Sequence, residues 1–130
     1  MKKIVRPRTF SLYILLCAIC IFNFSCGKEG PGGKGGIKGM VRHHALPIPG
    51  AVVYIKYGVK ESAGTNTTYY DASVNADANA NYEFTDLKKG DYYLLGIGFD
   101  SVIVQVVTGG IPVSIRKNET AQADVPVTEE

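Results

Sequence analysis

The stretch Leu46-Pro-Ile-Pro-Gly-Ala-Val-Val-Tyr-Ile-Lys-Tyr57 decides the fold class. Its first half is a turn, because Pro47 and Pro49 fix φ and Gly50 admits a tight bend. Its second half alternates. Ala51, Val53, Ile55 and Tyr57 share one face and Lys56 falls on the other, the period of a strand with one dry side.

The same pattern extends in both directions. Short runs at residues 37–43, 51–57, 68–74, 81–84, 91–99, 101–107, 111–116 and 120–127 read as strands, divided by turn residues at 46–50, 75–80, 88–90, 109–110 and 117–119. Tyr82 and Phe84 point inward with Glu83 outward. Ala121, Ala123, Val125 and Val127 alternate with Thr120, Gln122 and Asp124. No helical-period segment longer than a turn follows Ile37. The expected fold is all-β: an antiparallel seven- to eight-stranded sandwich over residues 37–130.

Four segments carry a family resemblance: Gly39-Met-Val41, Pro47-Ile-Pro-Gly-Ala-Val-Val53, Asn79-Ala-Asn-Tyr-Glu-Phe84 and Leu87-Lys-Lys-Gly-Asp-Tyr-Tyr-Leu94. Together they resemble the carboxypeptidase regulatory-like domain across residues 37–127. The resemblance implies a transthyretin-like, or prealbumin-like, sandwich, commonly appended to exported bacterial proteins and rarely catalytic by itself. Residues 58–67 are a polar insertion relative to that pattern, and Asp77-Ala-Asn79-Ala-Asn81 replaces the usual Asp-Gly-Asn turn.

Upstream, Lys2, Lys3, Arg6 and Arg8 precede an apolar run from Phe10 to Phe24, the charged and apolar regions of an export signal. At about 15 residues the run is shorter than the roughly 20 of a spanning helix. Asn23-Phe24-Ser25-Cys26 resembles the lipobox of bacterial lipoproteins, with Asn23 where that family usually has an aliphatic residue. The resemblance implies cleavage of residues 1–25 and lipidation of Cys26. It also implies tethering to the periplasmic or cell-surface face of a membrane, in the Gram-negative case the outer one. The alternative is a secreted protein cut near Ser25. Residues 26–36, glycine-rich, read as a flexible spacer that would hold the domain on the order of 17 Å from the anchor.

Cleavage changes the charge balance. Of 14 Lys and Arg, ten remain against 12 Asp and Glu, a net charge of −2. That argues against nucleic acid, which needs clustered bases on one face. Only Cys26 survives cleavage, so no internal disulfide can staple the domain, and a packed core must hold it.

No catalytic set emerges, and no cofactor is required. The chain ends Val125-Pro-Val-Thr-Glu-Glu130, unlike the Tyr-Arg-Gly-Ser end of transthyretin-related hydrolases. Tyr92-Tyr-Leu-Leu-Gly-Ile97 lacks the Glu that promotes Lys–Asn cross-links in B-type adhesin domains, so Lys38 and Asn118 are not expected to join. Ser101 and Ser114 have no identifiable base. Asp77, Asn79 and Asn81 lack the glycine and distal Glu of a calcium loop and read as a polar turn. His43 and His44, adjacent at a strand end, should face opposite ways, so no metal site is expected.

A binding surface is the remaining candidate. With Tyr92 and Leu94 inward, Tyr93, Leu95, Ile97 and Phe99 form the other face, alongside Val52 and Tyr54. Either the insertion at 58–67 covers that stripe or a bulge at Gly96 or Gly98 flips its register. The leading expectation is a non-catalytic, membrane-anchored module touching an envelope protein. The alternative is a glycan-binding lipoprotein that stacks sugars on Tyr54, Tyr69, Tyr70 and Tyr93.

Overall fold

The computed structural model describes residues 28–130. The expected export signal, residues 1–25, and Cys26 lie outside the described residues. Two sheets face each other, as the alternation requires. One is built on β1 (Pro31–His43), with β5 (Asn81–Leu87) antiparallel to it, β2 (Leu46–Pro47) folded back on its end, and β8 (Thr120–Gln122) and β9 (Val125–Pro126) running parallel to it. The other has the order β10 (Thr128–Glu129), β7 (Gln105–Ile115), β6 (Gly90–Asp100), β3 (Val52–Tyr57), β4 (Ala72–Asn75).

The inward faces are those the sequence dictates. Ile37 and Val41 from β1 and Tyr82 and Phe84 from β5 meet Val53, Ile55, Tyr92 and Leu94 from β3 and β6, all of them buried. Removing each such side chain from water contributes about 1.5–3 kcal/mol, enough in sum to hold a domain without a disulfide. The all-β sandwich expectation is met.

Several local expectations are not. The spacer reading of the glycine stretch ends at Gly30, because β1 starts at Pro31. Glycine is needed there for close packing: a Cβ on Gly35 would lie 2.9 Å from the carbonyl oxygens of both Leu87 and Glu119. The expected turn at Gly109-Gly110 is the middle of β7, paired with Gly96 and Leu95, and the hairpin turn sits at residues 101–104 instead. Neither glycine has positive φ. A Cβ on Gly110 would strike the Leu94 carbonyl and the Tyr93 ring, so close approach is the reason for glycine at that site. Finally, residues 120–127 are not one strand. The chain returns from β7 beside the start of β1, so β8 and β9 run the same way as β1, and it then crosses to β7 as β10.

The run at 68–74 begins as a 3-10 turn, Thr67–Tyr69, where the Asn66 side chain accepts from Thr68 N at 3.1 Å, and becomes β4 only at Ala72.

Candidate functional site

The predicted tyrosine surface is partly assembled and largely covered. Tyr54 and Tyr70 pack with ring centroids 6.0 Å apart, and the Tyr70 hydroxyl donates to Gly64 O at 2.8 Å, folding the insertion against the sheet. Burial, helped by the nearby Tyr93 and opposed by hydrogen bonds with Ser62 and the Ala63 backbone, raises the Tyr70 pKa above its ordinary value. Tyr54, Tyr70 and Tyr93 are half-buried, and Tyr69 is the exposed member of the set. Along the outer face of β6, Leu95 is buried and Ile97 half-buried, whereas Phe99 is exposed. The stripe is therefore closed at the insertion end and open at the hairpin end.

The open end is apolar. Phe99 pairs with Val106, and the turn between them carries Val102, Ile103 and Val104, with Val102 and Val104 73% and 70% exposed. Val104 holds φ at 56°, a left-handed backbone that a β-branched residue adopts only under strain. The strand expected over residues 101–107 begins only at Gln105, because residues 101–104 form the hairpin turn that exposes this tip.

Behind the tip is a polar corner. His43, the last residue of β1, is buried, and its Nδ1 lies 2.6 Å from Asp100 Oδ2. The other Asp100 oxygen accepts from Val102 N at 2.8 Å, so one carboxylate fixes both the imidazole and the hairpin turn. His43 Nε2 is 2.5 Å from Glu129 Oε2, an ion-pair contact that lacks the alignment of a hydrogen bond, and no other hydrogen-bond partner of Nε2 is found among the described residues. The Asp100 bond raises the His43 pKa, against burial and with help from Glu129. The Asp100 and Glu129 carboxyls are held low, Asp100 chiefly by His43 and Glu129 by a backbone hydrogen bond and then by His43. His44 does not point away as alternation predicted. Its φ of 54° turns the chain, leaving the two imidazole centroids 4.5 Å apart. Asp100 and Glu129 were not singled out in the sequence, since nothing local marks a partner 57 residues away.

The opposite pole carries a cluster of lysines. Lys34, Lys88, Lys89 and Lys117 border one shallow depression beside Gly32 and Gly33, at the start of β1. The adjacent pairs Lys88-Lys89 and Arg116-Lys117 read separately in sequence; the β5–β6 and β7–β8 turns bring them to the same end.

Other candidates resolve as structural. Asp77 Oδ1 accepts from Asn79 N and Asn81 N at 2.8 and 2.9 Å, which makes the loop a self-satisfied polar turn. Ser114 Oγ donates to Asp91 at 2.7 Å, at the far end of β6 from His43. Lys38 stands opposite Gln122 in the β1–β8 register, away from Asn118 in the turn before β8.

No family model matches the chain, and no curated protein matches it. Among solved structures it is similar to a candidate carbohydrate-binding protein from Pseudomonas aeruginosa, with TM-score 0.49, 14% identity, and coverage of 75% of this chain and 90% of that one. It is also similar to the minor pilin GBS52 of Streptococcus agalactiae, with TM-score 0.46 and 15% identity over 79% of this chain and 45% of the pilin. The chain thus spans less than half of that pilin.

Proposed function

We propose that this protein is a lipid-anchored, non-catalytic contact module of the bacterial envelope, with a carboxypeptidase regulatory-like sandwich held against the membrane at its lysine-bearing pole and engaging an envelope protein through the β6–β7 hairpin tip. The observation that carries this reading is the exposed apolar tip, Phe99, Val102, Ile103, Val104 and Val106, at the end of the sandwich opposite the start of β1. Apolar clusters of this kind on a monomer mark contact surfaces.

The membrane-side arrangement follows from charge and reach. With β1 beginning at Pro31, the link from Cys26 spans at most about 17 Å when fully extended. The lysines at that pole then lie within reach of anionic headgroups, where each contributes on the order of 1 kcal/mol of attraction. The glycan alternative relies on Tyr69, the exposed ring of the predicted set, because Tyr54 and Tyr70 pack on each other.

Site-specific photo-crosslinking in cells, with the probe at Val102, Val104 or Tyr69, tests the contact reading. Crosslinks to one envelope protein from 102 and 104 but not from 69 are expected. Glycan-array binding lost in Tyr69→Ala, with no crosslink from the tip, would favour the alternative. An unmodified N-terminus in the intact mass of membrane-extracted protein would remove the anchor.

A further inference from the structure

We infer that His43 Nε2, His44 and Glu129 form a binding site for one divalent transition-metal ion of the zinc class, which clips the C-terminal strand to the end of β1. One ligand atom from each of the three residues lies within 4.8 Å of the others. Zinc takes imidazole nitrogen and carboxylate oxygen at about 2.0–2.2 Å, so in a tetrahedral site neighbouring donors stand about 3.3 Å apart. The present separation of 2.5 Å between Nε2 and Oε2 must open slightly. Glu129 can move that far, since its side chain is 47% exposed and its strand is two residues long.

The independent pointer to a ligand is His43 itself. Its side chain is 7% exposed, and Nε2 faces the cluster with Glu129 Oε2 2.5 Å away and no aligned hydrogen bond among the described residues. A buried ring nitrogen so placed is satisfied either as an imidazolium N–H paired with Glu129 or as a ligand to a bound cation that Glu129 shares. Its other nitrogen is held by Asp100, the carboxylate–histidine arrangement that fixes the tautomer and aims the free lone pair at a metal. Asp100 is thus a positioning residue, itself oriented by Val102 N.

Charge and donor type define the ion. Two carboxylates, Asp100 and Glu129, flank two imidazoles, so a dication neutralises the corner. Two nitrogen donors favour zinc, copper or nickel over calcium or magnesium. Binding displaces any Nε2 proton into solvent, and water fills the fourth position of the three-ligand site. β1 belongs to one sheet and β10 to the other, so the ion would join the layers at the hairpin pole. Residues 27–130 contain no cysteine, and a metal clip would supply the cross-link that a disulfide gives other exported domains. The site depends neither on the lipid anchor nor on the partner of the hairpin.

The test uses the full chain in detergent, stripped with chelator and titrated with zinc by calorimetry, then with cobalt by visible absorption. Uptake of one equivalent is expected, with intense four-coordinate cobalt bands and a rise of several degrees in Tm. His44→Ala and Glu129→Gln, both at exposed side chains, should retain the fold and weaken zinc binding roughly tenfold or more. Asp100→Asn should weaken it about 10–100-fold and alter the cobalt spectrum. Unsaturable uptake, unchanged affinity in both His44→Ala and Glu129→Gln, or only the weak bands of six-coordinate cobalt would overturn the assignment.

Discussion

Replacing Tyr92 by Phe removes one oxygen and should detach the start of β1. The Tyr92 side chain is fully buried, and its hydroxyl donates to Lys88 O at 2.6 Å while accepting from Gly30 N at 2.9 Å. Without the oxygen, a buried Gly30 N–H is orphaned, at a cost of about 1–3 kcal/mol, while the half-buried Lys88 carbonyl regains water at smaller cost. A loss of about 2 kcal/mol follows. For a domain of this size, with a urea slope near about 1 kcal/mol/M, the unfolding midpoint should fall by about 2 M at unchanged slope. Hydrogen exchange should show faster exchange at the Gly30 amide and at Lys88, whose N–H donates back to Gly30 O at 2.9 Å. Tyr57→Phe is the control, because that ring packs edge-on against Tyr92 at 5.9 Å and its loss of an oxygen should stay within about 0.5 kcal/mol. If Tyr92→Phe matches this control and Gly30 protection is unchanged, the glycine stretch is a free spacer after all. The domain would then sit farther from its anchor.

Two further outcomes are expected. Gly110→Ala places a methyl against the Leu94 carbonyl and 2.7 Å from a Tyr93 ring carbon, and should cost about 1–3 kcal/mol and lower Tm by several degrees; a neutral result would mean that β7 is not continuous there. In chelator-treated protein, His43, faced by Asp100, Glu129 and His44, should titrate above 6.5 by NMR and drop in Asp100→Asn. Because its pKa is raised on folding, the stability that it contributes is complete below 6.5 and lost as pH rises through the folded value. Asp100, with its pKa lowered, contributes above about 3.8 and loses that contribution as pH falls. A Tm–pH curve flat on both sides would refute the coupling.

Glycine and sequence distance separate what was legible in this chain from what was not. Strand faces were legible at Ala51–Tyr57 and Tyr82–Phe84 because side-chain direction in a strand is set by a two-residue period, a local property. The same period placed the tyrosine stripe on one face and left open whether the insertion covers it or a bulge at Gly96 or Gly98 flips it; the unbroken β6–β7 register has no bulge there. Gly109-Gly110 misled, since glycine serves a turn and a tight backbone approach equally well, and only the neighbouring strand shows which is needed. The His43–His44 geometry misled because one left-handed residue cancels alternation.

By itself, then, the amino-acid order determined the layered β class, the inward residues and the need for a core without disulfides, all consequences of short-range periodicity and composition. Which loops share a pole was decided only by folding. Asp100 and Glu129 reach His43, four lysines gather beside the start of β1, and an apolar hairpin is left uncovered at the other end, because strand register sums many weak pairings that no single segment encodes.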